Sequence, residues 1–285
     1  AGLVAGKTYI LSRNKISNIA NNTANNEISL YGIYYTSSNN MGNYVSRNFI
    51  RNIYSNSSNL AATNVSGIYL YNSNAIIDNN IVLLGSNINI TLTIHGIYDL
   101  GANTKLYHNT IYLQGSSQSS TYCIYNNIGN IKDYRNNIFV NARSNGTNYA
   151  IRLLAILNLT IDYNDYYVSG TGGVLGQINN TNYNSLNNWQ TATSQDNNSY
   201  NINPQFDNEG GTNPTDYYIS SLLSLFGATG TGITVDYTGA LRNTTPRIGA
   251  LERNDFVWVG GTSTDFGTAS NWLNNSVPSA GANII

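Results

Sequence analysis

Ile76-Ile77-Asp78-Asn79-Asn80-Ile81, followed by Gly96-Ile97-Tyr98, is the stretch on which the fold turns, because the chain repeats it. The first element, Asn-x-Ile, recurs as Asn14/Ile16, Asn48/Ile50, Asn79/Ile81, Asn109/Ile111, Asn136/Ile138 and, more weakly, Asn164/Tyr166. Those Asn lie 34, 31, 30, 27 and 28 residues apart. The second element keeps pace as Gly32-Ile33-Tyr34, Gly67-Ile68-Tyr69, Gly96-Ile97-Tyr98, Cys123-Ile124-Tyr125 and Ala150-Ile151-Arg152. Two elements in register over five copies define a structural repeat.

Each copy carries strand chemistry. Runs rich in Ile, Val, Tyr and Thr are broken by Asn, Ser and Gly clusters, and no helical spacing is sustained. Three residues before each Asn stand Leu11, Val45, Ile76, Leu106, Asp133 and Ile161, five of them apolar. Period-2 alternation follows at Ile81/Leu83, Ile111/Leu113 and Ile138/Val140. A unit this small cannot bury an apolar face alone. Units stacked one strand spacing apart, about 4.8 Å, share a continuous core.

The Asn column fits such a stack. Asn tolerates the left-handed backbone of a sharp corner, and its amide can donate to one rung while accepting from the next. A structural ladder is therefore expected at Asn14, Asn48, Asn79, Asn109, Asn136 and Asn164. The composition agrees. Only 9% of the 285 residues are charged, with a net charge of −1, while 50 are Asn and 23 are Tyr. Like charges on successive rungs would repel by about 1 kcal/mol even at the dielectric constant of water. Asn-rich stretches are otherwise linkers or low-complexity tracts, but a linker has no reason to hold apolar residues in register. The scarcity of Lys and Arg excludes a nucleic-acid partner. No apolar run approaches the roughly 20 residues of a membrane span. Lone Cys123 cannot form an internal disulfide.

The pattern I-x-x-N-x-I followed by G-I-Y resembles the right-handed parallel β-helix repeat of pectate-lyase-like proteins, over roughly residues 9–168. The resemblance implies an all-β, right-handed parallel β-helix with a C-terminal cap, and it is nearly silent about activity, since that fold hosts lyases, hydrolases, epimerases and inert stalks. The segments between the Asn and the Gly-Ile-Tyr element are long, so larger loops are expected on the N-terminal coils.

From about Ser169 the repeat weakens. Asn203-Pro204-Gln205-Phe206, Asp216-Tyr217-Tyr218-Ile219, Asp236 to Arg242, and Ile248-Gly249-Ala250-Leu251-Glu252 come next, in an order similar to the closing region of secreted bacterial β-helix proteins. An open solenoid end exposes core and unpaired edges and needs a cap. Residues 1–168 are thus read as coils, 169–253 as last coils and cap, and 254–285 as a linker and the start of another module. In the cap, Asp236, Arg242 and Glu252 are expected to pair with backbone or with each other. Trp258-Val259-Gly260, Asp265-Phe266, Asn271-Trp272 and Pro278 resemble the opening of a small β-rich module repeated in very large bacterial surface proteins. With Ala1 in place of an initiator Met, the chain reads as a segment of a larger extracellular array.

Chemistry is sparse. The position before the Asn column reads as an outward stripe of Arg13, Arg47, Asp78, His108, Arg135 and Tyr163, with His95 and Asp99 nearby. Stacking would make Arg47, Asp78 and His108 neighbours, with Asp78 orienting His108 as a general base. The stripe lacks the second carboxylate of an acid/base or Ca²⁺ pair, and alternating charges on neighbouring rungs serve simple pairing equally well. Two His far from any Cys pair give no zinc pattern. Oxygen ligands for Ca²⁺ stand in Asp162-Tyr163-Asn164-Asp165 and at Asp207/Glu209, below the density of a dedicated calcium loop. No cofactor is called for.

Alternation points Ile33, Ile68, Ile97 and Ile124 inward and Tyr34, Tyr69, Tyr98 and Tyr125 outward. Four stacked rings flanked by Asn and Ser suit sugar rings or a protein partner, or else merely brace neighbouring strands. The sequence therefore points to a non-enzymatic module of a secreted or cell-surface bacterial protein, a rigid spacer or adhesin element with glycan contact. The rival is a lyase or hydrolase of acidic polysaccharide centred on Asp78, His108 and Arg47. Glycans, other surface proteins and further copies of the chain are the partners it allows.

Overall fold

The structure, a computed structural model, describes residues 8–22, 28–37, 42–55, 64–86, 92–116, 118–253, 255–273, 275–278 and 283–285. Strands succeed one another three to a coil. The first coil is β1 (Ile10–Ser12), β2 (Lys15–Asn21) and β3 (Leu30–Thr36); the second is β4 (Asn43–Ser46), β5 (Phe49–Ser55) and β6 (Asn64–Tyr71). Next come β7 (Asn74–Asp78), β8 (Ile81–Leu84) and β9 (Thr93–Leu100), then β10 (Asn103–Tyr107), β11 (Thr110–Leu113) and β12 (Thr121–Asn126). The last coils are β13 (Ile131–Arg135), β14 (Ile138–Asn141) and β15 (Asn148–Leu153), then β16 (Leu159–Asp162), β17 (Asp165–Val168) and β18 (Gly173–Ile178).

First, second and third strands of successive coils pair in parallel to give three sheets: A (β1-β4-β7-β10-β13-β16), B (β2 to β17) and C (β3 to β18). The molecule is a parallel β-solenoid, nearly all β. Residue 117 and residues 23–27, 56–63 and 87–91, where the larger loops are expected, lie outside the described residues.

The ladder exists, displaced by one residue on two rungs. Asn14 Nδ2 donates to Asn48 Oδ1 (2.9 Å), Asn48 to Asn80 (2.9 Å), Asn80 to Asn109 (3.0 Å), Asn109 to Asn137 (3.0 Å) and Asn137 to Asn164 (2.9 Å). Asn80 and Asn137, not Asn79 and Asn136, are the rungs. Asn79 and Asn136 occupy the preceding position, where the backbone turns left-handed with φ of 54° and 63°. Arg13, Arg47, His108 and Tyr163 share that corner conformation on the other coils. An Asn-Asn doublet satisfies both needs at once: the first residue relieves the corner and the second forms the rung.

This shift reverses the faces of two strands. Val82 and Leu84, with Phe139, join the interior cluster, while Ile81, Leu83, Ile138 and Val140 face outward. It also completes the sheet A column, which becomes Leu11, Val45, Ile77, Leu106, Tyr134 and Ile161. All six are apolar or aromatic, and Asp133 leaves the interior.

Beyond β18 the chain turns into β19 (Thr181–Tyr183), antiparallel to it, and α1 (Leu186–Thr193). The helix begins at Ser185, whose hydroxyl accepts from the Asn188 N–H (3.3 Å), and stops at Ser194 in left-handed conformation. Fully buried Trp189 packs on Tyr166 at the end of the core, its Nε1 donating to Asp196 (2.7 Å).

Much of the chain after α1 is a lateral cover and not an end cap. Phe206, Tyr217, Ile219, Leu225, Ile248, Ala250 and Leu251 lie on the outer face of sheet B, against Phe49, Ile81, Leu83, Tyr112, Ile138 and Val140. The middle of that outer face, from Phe49 to Val140, is largely apolar and requires cover. The segment reaches back past the third coil, where Arg242 donates to Asn79 Oδ1 (2.6 Å), to Phe49 of the second. As expected, Arg242 pairs with Glu252 (3.0 Å), and Asp236 accepts from the N–H groups of Thr238, Gly239, Ala240 and Glu252.

At the C-terminus β20 (Asp255–Phe256) pairs in parallel with β21 (Asn283–Ile284). The motif aromatics converge there. Trp258 stacks on Phe266 at 4.5 Å and meets Trp272 edge-on at 5.0 Å, while Asn271 Oδ1 accepts from the N–H groups of Gly261, Thr262 and Ser263.

Candidate functional site

Sheet C carries a double file of rings on its outer face. Ile33, Ile68, Ile97, Ile124 and Ile151 are buried, and Tyr34, Tyr69, Tyr98 and Tyr125 lie outside them in register. The position before each Ile also faces inward: a Cβ on Gly96 would lie 2.2 Å from Ile111 Cγ2. Two consecutive inward positions leave an outward one on each side. The second file is therefore Tyr31, Ser66, His95, Tyr122 and Tyr149. Sequence reading missed it, although the signal was present as an aromatic residue two places before each Ile on all but one of those coils.

The two files pack together. Tyr34 stacks on Tyr69 (5.2 Å between centroids, 11°), and Tyr69, Tyr98 and Tyr125 meet edge-on at 4.9 and 4.7 Å. In the second file His95 stacks on Tyr122 (5.5 Å, 10°) and Tyr122 on Tyr149 (5.0 Å, 4°). Tyr31 touches both Tyr34 and Tyr69, and His95 touches Tyr98 and Tyr125. The Arg152 guanidinium lies 4.4 Å over the Tyr125 ring and ends the first file.

Tyr34 is 52% exposed, Tyr69, Tyr98 and Tyr125 are half-buried, and Tyr149 is buried. Burial pushes the Tyr98 phenol up to about 12, with Tyr125 and Tyr69 adding to it, and raises Tyr69 as well. Burial, then Arg152, holds His95 down at about 3. The strip is thus a neutral sheet of aromatic faces with phenolic O–H groups, bearing charge only at Arg152. Such a surface can offer ring faces and hydroxyl groups to a ligand.

The residues of the rival site do not come together as a dyad. Asp78 belongs to the strand-end column Ser12, Ser46, Asp78, Tyr107, Arg135 and Asp162, whereas Arg47 and His108 occupy the corner column with Asn79. The single stripe expected from sequence is thus two. Asp78 Oδ2 accepts from Ser46 Oγ and Asn79 Nδ2 (both 2.8 Å), and Oδ1 has no hydrogen-bond partner. Burial raises Asp78 to about 6, against those two hydrogen bonds. His108 is fully buried. Its Nε2 accepts from Asn136 Nδ2 (2.9 Å) and its Nδ1 donates to the Arg247 carbonyl (3.2 Å), so the C-terminal segment fixes its tautomer and no bond runs to Asp78. Burial lowers His108 well below the ordinary imidazole range. Asp78 and Arg47 do share a groove of about 230 Å³ with Tyr44, Ser46 and residues 232–235.

Among the described residues no group of three or more His, Cys, Asp or Glu is placed to hold a metal ion. Asp162 accepts from Tyr163 and Asn198, Asp165 is buried, and Asp207 pairs with Arg253. No helix among these residues is long and apolar enough to cross a membrane. Compared with known proteins, the chain matches no family model, no curated protein and no solved structure.

Proposed function

We propose that this chain is a non-enzymatic β-solenoid module of a large bacterial cell-surface or secreted protein, a stiff spacer whose sheet C contacts glycan. The observation that carries the reading is the partly exposed file Tyr34, Tyr69, Tyr98 and Tyr125, ended by Arg152 and flanked by a second file of rings interrupted only at Ser66. Flat rings at strand spacing present a repeated apolar surface edged with hydroxyl groups, suited to successive pyranose faces. The Trp258 to Trp272 motif supports the extracellular part of the reading by its resemblance to a surface-protein module. Glycan-array binding, reduced at least tenfold in Tyr69→Ala and Tyr98→Ala proteins of unchanged circular dichroism, is the expected result. Binding that survives both substitutions rules out the strip as the glycan surface.

One observation favours the rival reading, a lyase or hydrolase of acidic polysaccharide: the unpartnered Asp78 Oδ1, in a residue that lines a groove beside Arg47. Ultraviolet-absorbing unsaturated products from pectin- or alginate-like polymers, absent with Asp78→Asn, would replace the first reading by that one.

A further inference from the structure

Between sheets A and C lies a buried polar cluster. Asp99, in β9, is fully buried, and Lys132, in β13, is 3% exposed. Lys132 Nζ stands 3.0 Å from Asp99 Oδ1. Nζ also donates to the Gly101 carbonyl (2.7 Å) and to Thr104 Oγ1 (3.2 Å). Asp99 Oδ1 accepts from the Gly101 N–H (2.7 Å) and Thr104 Oγ1 (2.9 Å), and the Tyr134 hydroxyl donates to Oδ2. Amine and carboxyl are therefore held in contact, each by several fixed partners.

We propose that Lys132 and Asp99 are joined by an amide bond between Nζ and Cγ, a covalent staple from the end of the third coil to the start of the fifth. The ion pair first passes a proton from Nζ to Oδ1, leaving a neutral amine against a neutral acid. Burial favours the neutral amine: it pulls the Lys132 ammonium below its ordinary value, against the pull of Asp99. The Nζ lone pair then attacks Cγ. The Tyr134 hydroxyl supports the charge that develops on Oδ2, while the Gly101 carbonyl orients the amine. Transfer of a second Nζ proton to Oδ1 breaks the Cγ–Oδ1 bond and releases water. Carboxylate plus ammonium gives amide plus water, with no oxidant or cofactor. The fixed 3.0 Å approach provides the proximity, and neither charge remains in the core. With Cys123 as its only cysteine, the chain has no disulfide to play this part.

The test is independent of the glycan reading. The folded protein is purified, then denatured for intact-mass measurement. The expected mass is one water, about 18 Da, below the sequence mass, the loss that an amine–carboxyl condensation requires. Trypsin should leave Lys132 uncut and yield one branched peptide carrying both Asp99 and Lys132. Lys132→Arg should restore the full mass whether or not it folds as well, since the mass is read on the denatured chain. A wild-type mass equal to the sequence mass overturns the proposal, as does a lighter chain whose tryptic peptides carry Asp99 and Lys132 unlinked.

Discussion

Each Asn of the ladder satisfies more than one rung with a single side chain. Asn109 Oδ1 accepts from the N–H and the Nδ2 of Asn80, while its own Nδ2 donates to Asn137 Oδ1 and to the Ile77 carbonyl one coil back (2.8 Å). Asp could accept but not donate, and Ala could do neither. Asn109→Ala leaves several buried groups unpaired and should lower stability by about 2–4 kcal/mol, read from urea unfolding. An unchanged midpoint would mean that the ladder is ornamental. The buried acids act in the opposite sense. Asp165 has one oxygen on the Ile202 N–H and the other without a partner, and burial raises it from 3.8 to about 7. Burial likewise raises Asp78 and Asp196 to about 6. A carboxyl raised in the folded state contributes stability below its unfolded value and loses it as pH climbs to the folded value. Stability should therefore fall between about pH 4 and pH 7. Asp165→Asn should flatten that slope and give the more stable protein at pH 8. A slope unaltered by the substitution would assign the titration elsewhere.

At the scale of the strand, close approach sets what each column accepts. The inward position of sheet C is Gly32, Gly67 and Gly96 on the early coils but Cys123 and Ala150 on the later ones. At Gly96 a Cβ would meet the Ile111 side chain and, at 2.6 Å, the Cys123 carbonyl. Gly96→Ala should accordingly cost about 1–3 kcal/mol by overpacking, seen as a lower thermal midpoint. Gly96→Ala combined with Ile111→Val should recover part of that loss; no recovery would place the clash at the backbone alone. The same two inward positions split the outer aromatics into two files, so the strip is a consequence of how sheet C bends around its core.

Over the whole molecule the decisive feature is that β8, β11 and β14, the middle of sheet B, are buried on both faces. Interior coils cover one face, and residues 206–251 cover the other. The cover is pinned by Arg242, whose buried side chain donates to Glu252, to the Gly249 and Arg247 carbonyls, and to Asn79. Arg242→Met strands the Glu252 carboxylate and should destabilise by about 3–5 kcal/mol. Amide exchange should then rise in β8 and β11 as the cover loosens. Faster exchange confined to residues 236–252 would show that the outer face keeps its cover without this anchor.

The sequence by itself determined the coil, the parallel β class, the position of most ladder Asn and the outward Tyr file. All of these stem from local alternation and from residue types that only a stacked turn can use repeatedly. It could not choose between Asn79 and Asn80, or between Asn136 and Asn137. Ile81-Val82-Leu83-Leu84 is apolar throughout, so alternation carries no phase there. A one-residue slip exchanges the faces of the strand, and the ladder bonds of Asn80 and Asn137, with the C-terminal segment packed on the outer face, go with the register that holds. The same long-range packing removed His108 from solvent and from Asp78, and brought Asp99 to Lys132. Contacts between residues dozens of positions apart decided these points, because no local pattern records which of two buried faces a distant segment will occupy.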